Sequence, residues 1–344
     1  AAAIWLVRHH LLMSDTAQRR DISDPLTIRK FVGEVQSPEL LRMLLVLTVA
    51  DIRAVGPGAW NGWKGQLLRE LYHESDSVMS GASAPARGER VAEAKNGLIE
   101  RLRDWSEAAR EDATSHFGEN YWLSFDTREL ERNARLRARM ADRKESFALA
   151  FDTSEFRSIS EIAICTPDQP GLFFKLAGAI AASGGSIVEA KAFTAEDGLA
   201  LDVFAVQDFE GRPFGDDAQI ARLHKAIARA LSGQLPRRAA IIRRPEAMRA
   251  AAFEVRSRVS FDNEASASAT VIELQGADRQ GLLFDIARGL FELQLSISSA
   301  IVATYGERAV DVFYVRDFSG NKLTGPDHLA RVEARLMGAL TPAS

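Results

Sequence analysis

The feature that most restricts what this chain can fold into is an internal repeat. Asp168-Gln-Pro-Gly-Leu172 returns as Asp278-Arg-Gln-Gly-Leu282, 110 positions later. Leu201-Asp-Val-Phe-Ala-Val-Gln-Asp-Phe-Glu-Gly211 returns as Val310-Asp-Val-Phe-Tyr-Val-Arg-Asp-Phe-Ser-Gly320, 109 positions later. One deletion in the intervening loop accounts for the difference of one. Two widely separated matches in register mark a duplicated domain, so the second half of the chain must form two copies of one unit.

Each copy reads strand, helix, strand, strand, helix. The periodicity predicts these elements at about 159–166, 171–183, 186–194, 200–208 and 216–231 in the first copy. In the second they fall at about 270–276, 281–293, 296–304, 309–316 and 326–340. Period-2 alternation, as in Leu201, Val203 and Ala205 against Asp202, Phe204 and Val206, predicts a sheet with helices on one face. A unit of this kind needs one more strand. Phe253 to Phe261 would complete the second sheet from its N-terminal side, and Arg238–Arg243 would be the last strand of the first.

A strand ending in Asp-x-x-Gly-Leu and opening into a helix, within a βαββα pattern of this size, resembles the ACT domain. The resemblance covers roughly residues 158–344. It implies two ferredoxin-like units of βαββαβ type that bind an amino-acid effector where two copies meet. The implied effector-binding residues are Asp168, Gly171 and Leu172 in the first loop and Asp278, Gly281 and Leu282 in the second. The chemistry is suitable. Backbone N–H groups at a helix start attract a carboxylate, an Asp can accept from an ammonium group, and Gly admits a close approach. A purely structural role, Asp as cap and Gly as turn, accounts for the same residues. Gln280 stands where the first loop has Pro170, so the two loops need not be equivalent.

Residues 1–76 read as helices. Ser37-Pro38-Glu39 is a helix start, with a capping Ser before Pro, and Leu40 to Ala50 is apolar almost all round, as in a buried bundle helix. Gly56-Pro57-Gly58 ends it. Asp51 follows Leu44 by seven residues and Leu47 by four, which predicts an inward-facing carboxylate that needs a partner or a metal. Residues 77–157 read as a linker rich in small residues followed by a connector of charged helices, and the arginines between Arg128 and Lys144 as a solvated helix face.

Trp5-Leu-Val-Arg-His-His-Leu-Leu-Met13 and Leu47-Thr-Val-Ala-Asp-Ile-Arg-Ala-Val-Gly-Pro57, with Trp60-Asn-Gly-Trp63-Lys-Gly65, resemble the later part of an HD-type metal-dependent phosphohydrolase. With the ACT pair, they resemble the C-terminal part of the bacterial bifunctional uridylyltransferase/uridylyl-removing family. That resemblance implies an α+β chain: HD portion at 1–76, connector at 77–157, ACT units at 158–250 and 251–344. It implies Asp51, His9 and His10 as ligands of a divalent metal, Mg or Mn. It also implies UTP and UMP as nucleotides, the nitrogen-regulatory PII protein as partner, L-glutamine as effector, and the cytoplasm as location. The opening Ala1-Ala-Ala-Ile-Trp reads as mid-helix, so the chain is expected to be a fragment, inactive alone, whose HD dyad and nucleotidyltransferase site lie upstream. Two alternatives stay open: another HD-plus-ACT enzyme such as a guanosine-tetraphosphate hydrolase, and a non-catalytic amino-acid-binding module.

Composition narrows the field further. A net charge of −4 speaks against a nucleic-acid surface, and no apolar run is long enough to span a membrane. Cys165, alone in the chain and in an apolar run, reads as an inert buried thiol. P-loop, GxGxxG and GxSxG motifs do not occur.

Overall fold

The computed structural model describes residues 2–20, 22, 24–54, 60, 62–81, 87–143, 145–208, 210–234, 255–279, 281–305 and 308–341. Among the described residues nine helices come first: α1 (Ala2–His9), α2 (Leu12–Arg19), α3 (Pro25–Val35), α4 (Pro38–Ala54), α5 (Gly62–Met79), α6 (Arg87–Arg101), α7 (Glu107–Ser115), α8 (Glu119–Leu123) and α9 (Thr127–Arg143). The first repeat then follows as β1 (Ala148–Ser154), β2 (Ile159–Pro167), α10 (Leu172–Ala182), β3 (Ser186–Thr194), β4 (Leu199–Gln207) and α11 (Asp217–Leu231). The second is β5 (Arg258–Asp262), β6 (Thr270–Ala277), α12 (Leu282–Glu292), β7 (Leu295–Tyr305), β8 (Arg308–Asp317) and α13 (Pro326–Leu340). The chain is α+β, as expected.

The two units fuse into one antiparallel sheet of order β1-β2-β4-β3-β7-β8-β6-β5. The halves meet along β3 and β7, where Ala190 lies opposite Ala300 and Glu189 opposite Ile301. A bulge sits beside this seam in each strand, between Ile187 and Glu189 and between Ile297 and Ser299. Edge-to-edge pairing satisfies the backbone groups that either unit alone would leave exposed.

Both outer slots are filled from the N-terminal side. β5 pairs with β6, as the sequence suggests, and β1 pairs with β2 in the matching place. Arg238–Arg243, expected as the last strand of the first unit, lies outside the described residues; the place beside β2 is taken by β1. β1 falls within the stretch read as linker and helical connector.

The expectation of helices on one face is also corrected, because both faces are covered. Ala200, Phe204 and Val206 of β4 join the core beneath α10–α13. Leu201 and Val203 face the opposite way into a core with Leu98, Trp122, Leu130 and Leu136 of the connector helices. Ala205 and Ile159 meet the α1–α5 bundle through Phe31, Leu44 and Leu68. A strand with two covered faces reads as nearly continuous apolar sequence, which is why β2 is buried along almost its whole length. Each fully buried Phe or Leu here contributes about 1.5–3 kcal/mol.

The arginines of α9 divide: Arg128, Arg135 and Arg139 are solvated as expected, but Arg132 and Arg137 are not. Arg132 is pinned to Glu161 at 2.7 Å and Arg137 to Asp197 at 2.6 Å, with side chains only 13% and 11% exposed. Arg157 reaches the other oxygen of Glu161 at 2.8 Å. Burial alone would raise the Glu161 carboxyl, but Arg132 and Arg157 more than offset it and hold it below its ordinary value. No helix among the described residues is long and apolar enough to cross a membrane.

Candidate functional site

The two repeat loops open the helices that face each other across the seam. α10 packs on α12, and the Phe174 ring lies 6.0 Å from its repeat counterpart Phe284 and 5.3 Å from Phe291. Gly171 and Gly281 stand at the helix N-caps with φ of 71° and 78°, the left-handed region that favours glycine. Glycine supplies no side-chain cap at either helix start, and the Asp168 carboxylate accepts from Thr194 rather than from the helix.

Asp168 is exposed. Its own N–H donates to the Gly198 carbonyl at 2.8 Å, and the Thr194 hydroxyl donates to its Oδ2 at 3.4 Å. Asp278 is exposed at the matching place. The Leu172 and Leu282 side chains are buried in the core. Their N–H groups donate to Gln169 and Arg279 carbonyls at 3.1 Å, so those donors are already engaged. A Cβ at Gly171 would stand 2.1 Å from the Phe174 ring. The turn and this packing alone require glycine there, and a valine would disturb the fold before it disturbed a ligand.

The loops differ. In the first, Lys175 Nζ donates to Gln169 Oε1 at 2.8 Å. In the second, Arg279 reaches Asp285 at 2.6 Å and the Ala339 carbonyl at 2.7 Å, which ties the loop to the end of α13. Gln280 lies outside the described residues.

Sequence reasoning passed over one pair of residues. Asp202 on β4 and Asp311 on β8 are repeat counterparts, 3% and 2% exposed, on interior strands one removed from the seam. Asp202 points to the same face as Ala200 and Phe204, and its Oδ2 has no hydrogen-bond partner among the described residues. Burial, with the nearby Asp168 charge, pushes its carboxyl up to about 8. The signal was present in the sequence: an acid recurring within an apolar strand, in both copies.

In the helical half, Asp51 does not face inward. The buried face of α4 runs through Leu41, Leu44 and Thr48, and Asp51 is exposed. The seven- and four-residue spacings were measured from Leu44 and Leu47, but Leu47 is only half-buried, and the inward stripe ends one turn earlier. His9 is half-buried, stacked on Trp5 at 4.5 Å, with Nδ1 donating to the Trp5 carbonyl at 2.9 Å. This leaves Nε2 as the lone-pair nitrogen. His10 is exposed, and its Nδ1 donates to the Val7 carbonyl at 2.9 Å. Among the described residues no three His, Cys, Asp or Glu side chains are grouped to hold a metal. The described residues therefore do not by themselves fit the metal that the resemblance implies. Arg53 lies over the Trp60 ring at 4.9 Å, and burial lowers the Lys64 amine. Gly56-Pro57-Gly58 and the Trp63 side chain lie outside the described residues. Cys165 is buried, and burial pushes its thiol up to about 12, as befits an inert group.

Comparison with known proteins places these features. Residues 265–339 match the family described as the ACR family N-terminal ACT domain. Over 99% of its length the chain is 49% identical to the bifunctional uridylyltransferase/uridylyl-removing enzyme of Azospirillum brasilense, covering 37% of that protein. The enzymes of the same name from Rhodospirillum rubrum and Caulobacter vibrioides are 45% and 44% identical over 98% of the chain, which covers 36% of each. The chain thus spans a little over a third of the length of these relatives. The second unit is an ACT domain, and the chain as a whole is related along nearly all its length to part of the bifunctional uridylyltransferase/uridylyl-removing enzymes.

Proposed function

We propose that this chain is the effector-sensing, C-terminal part of an enzyme that attaches UMP, from UTP, to the nitrogen-regulatory PII protein and removes it again. The carrying observation is the fused sheet, which brings two like loops to helices that touch across one seam. An α-amino acid held there would place its ammonium group by Asp168 or Asp278 and its carboxylate by the helix starts. L-glutamine is the effector of this reading. Because α1–α9 pack on the opposite face of the same sheet, a change at the seam has a packed route to the helical half.

In this reading residues 1–76 belong to the HD region, 77–157 to the connector, and 158–250 and 251–344 to the two ACT units. The enzyme acts in the cytoplasm with Mg or Mn. His9, with its Nε2 available, would be one ligand, while His10 and Asp51 would need further donors to make a set. The chain alone is then a sensor without uridylyl-transferring or uridylyl-removing activity.

Calorimetric titration of the chain with L-glutamine tests the sensing half, with Asp168→Asn and Asp278→Asn as the informative variants. Saturable binding, weakened about tenfold by at least one variant, is expected for loss of a charge-assisted contact. Binding that neither variant alters would refute the loop assignment.

A further inference from the structure

Outside the seam, a second place in the molecule has the makings of a ligand site. A cavity of about 210 Å³ lies between the connector helices and the β3–β4 turn. Trp105, Phe117 and Tyr121 line it with Asp112, Asn133 and Arg137 on the helical side, and Asp197 comes from the turn. It is larger than a cavity of roughly 150 Å³ that accepts benzene and smaller than pockets for drug-sized ligands, so its size suits a small metabolite.

The polar lining is only partly satisfied by the protein. Arg137 spends Nη2 on Asp197 at 2.6 Å, with Asp112 at 3.8 Å, but its Nε and Nη1 have no partner among the described residues. The Asn133 amide nitrogen is also buried, with the Tyr121 hydroxyl as its neighbour in the cavity wall. Unpaired buried donors are costly, typically about 1–3 kcal/mol each, and they call for an acceptor. An anion alone is poorly matched, because Asp112 and Asp197 outnumber the single guanidinium. A group carrying both charges answers the whole set. Its carboxylate would meet Arg137 and Asn133, and its ammonium would meet Asp112, which is 63% exposed at the rim and takes His116 Nε2 on its Oδ1 at 2.8 Å, leaving Oδ2 toward the cavity. Phe117 and Tyr121, stacked at 4.0 Å, give the aliphatic or flat remainder an apolar wall.

We propose that this cavity is a second amino-acid site, distinct from the repeat loops, which binds a zwitterionic α-amino acid between the connector and the first ACT unit. Its position gives it leverage. The Glu196 N–H already donates to the His116 carbonyl at 3.0 Å, so the turn and the end of α7 are joined beside it. An occupant touching Arg137 and Asp197 would tighten that junction and strengthen the hold of the connector on the sheet.

Trp105 in the cavity wall provides a local reporter. The whole chain is titrated with each common L-amino acid while tryptophan fluorescence is followed in wild type and in Trp105→Phe. At least one amino acid should give a saturable change that Trp105→Phe removes. Ala113→Leu, which fills the cavity, should abolish it while keeping the melting temperature at or above wild type, and Arg137→Leu should weaken it about tenfold or more. Asp168→Asn and Asp278→Asn, which probe the loops, should leave it intact. A silent Trp105 with every amino acid, or an undiminished response in Ala113→Leu, overturns the proposal. Loop-dependent glutamine binding with a silent Trp105 would overturn this site while the seam reading stands.

Discussion

Asp202 sits on an interior strand of the eight-stranded sheet, 3% exposed, with one carboxyl oxygen unpaired among the described residues. Its folded pKa of about 8, against an ordinary 3.8, makes a sharp prediction about Asp202→Asn. The sign follows from linkage. A raised carboxyl pKa means that the folded state holds the proton more tightly, so this contribution is fully present below about 3.8 and is lost as pH rises through about 8. At about 1.36 kcal/mol per tenfold, the whole interval corresponds to on the order of 5 kcal/mol for a rigid interior. Asparagine keeps the shape and removes the titration. Urea denaturation of wild type and Asp202→Asn, at intervals from about pH 5 to about pH 8, reads the difference directly. The variant should gain on wild type steadily as pH rises, by about 1 kcal/mol or more per pH unit at the limit. Parallel stability curves would show that Asp202 ionises normally, and the reasoning from its burial would be wrong.

Other perturbations read the rest of the molecule. Gly171→Val forces a β-branched residue into the left-handed region and against Phe174, so it should cost about 2–4 kcal/mol and lower the melting temperature by several degrees. An unchanged melt would contradict the packing described. Glu129 caps α9 through the Asp126 N–H at 2.8 Å, and burial together with Glu161 pushes its carboxyl up to about 7. Its contribution is therefore present below about 4.5 and lost as pH rises through about 7. Glu129→Gln should flatten that part of the pH profile, and an unaltered slope would count against the assignment. In a full-length enzyme of this family, Asp51→Ala should reduce UMP release from PII and spare UMP transfer. Equal loss of both would remove Asp51 from the hydrolytic site.

The repeat was the most legible part of the fold, because βαββα periodicity and Gly-marked turns are local signals. α13 runs from Pro326 to Leu340 as the sequence reading has it, and β3 matches from Ser186 to Thr194. What escaped was non-local. β1 lies in a stretch that reads as a helical connector, and only its pairing with β2 reveals its place. A hint existed, since Phe151-Asp152 recurs as Phe261-Asp262 and each Phe faces an Ile of the next strand. The arginines of α9 look like a solvated face in one dimension, because the acids that pair with Arg132 and Arg137 lie 29 and 60 residues away. Asp51 failed for a different reason. It lies two turns after the buried Leu44, but the inward stripe of α4 stops at Thr48, so periodicity alone carries the buried face one turn too far. Of the loop residues, the sequence located Asp168 and Asp278 and the glycines, but the φ values show that the glycines have structural work independent of any ligand.

Glutamine binding at the seam is the central claim, and calorimetry on the whole chain tests it most directly. The account predicts saturable binding of L-glutamine, in preference to L-glutamate, with Asp168→Asn or Asp278→Asn weakening it by about tenfold while the melting temperature of the unliganded chain stays near wild type. No heat of binding at millimolar L-glutamine, from a chain shown by its cooperative melt to be folded, would contradict the account.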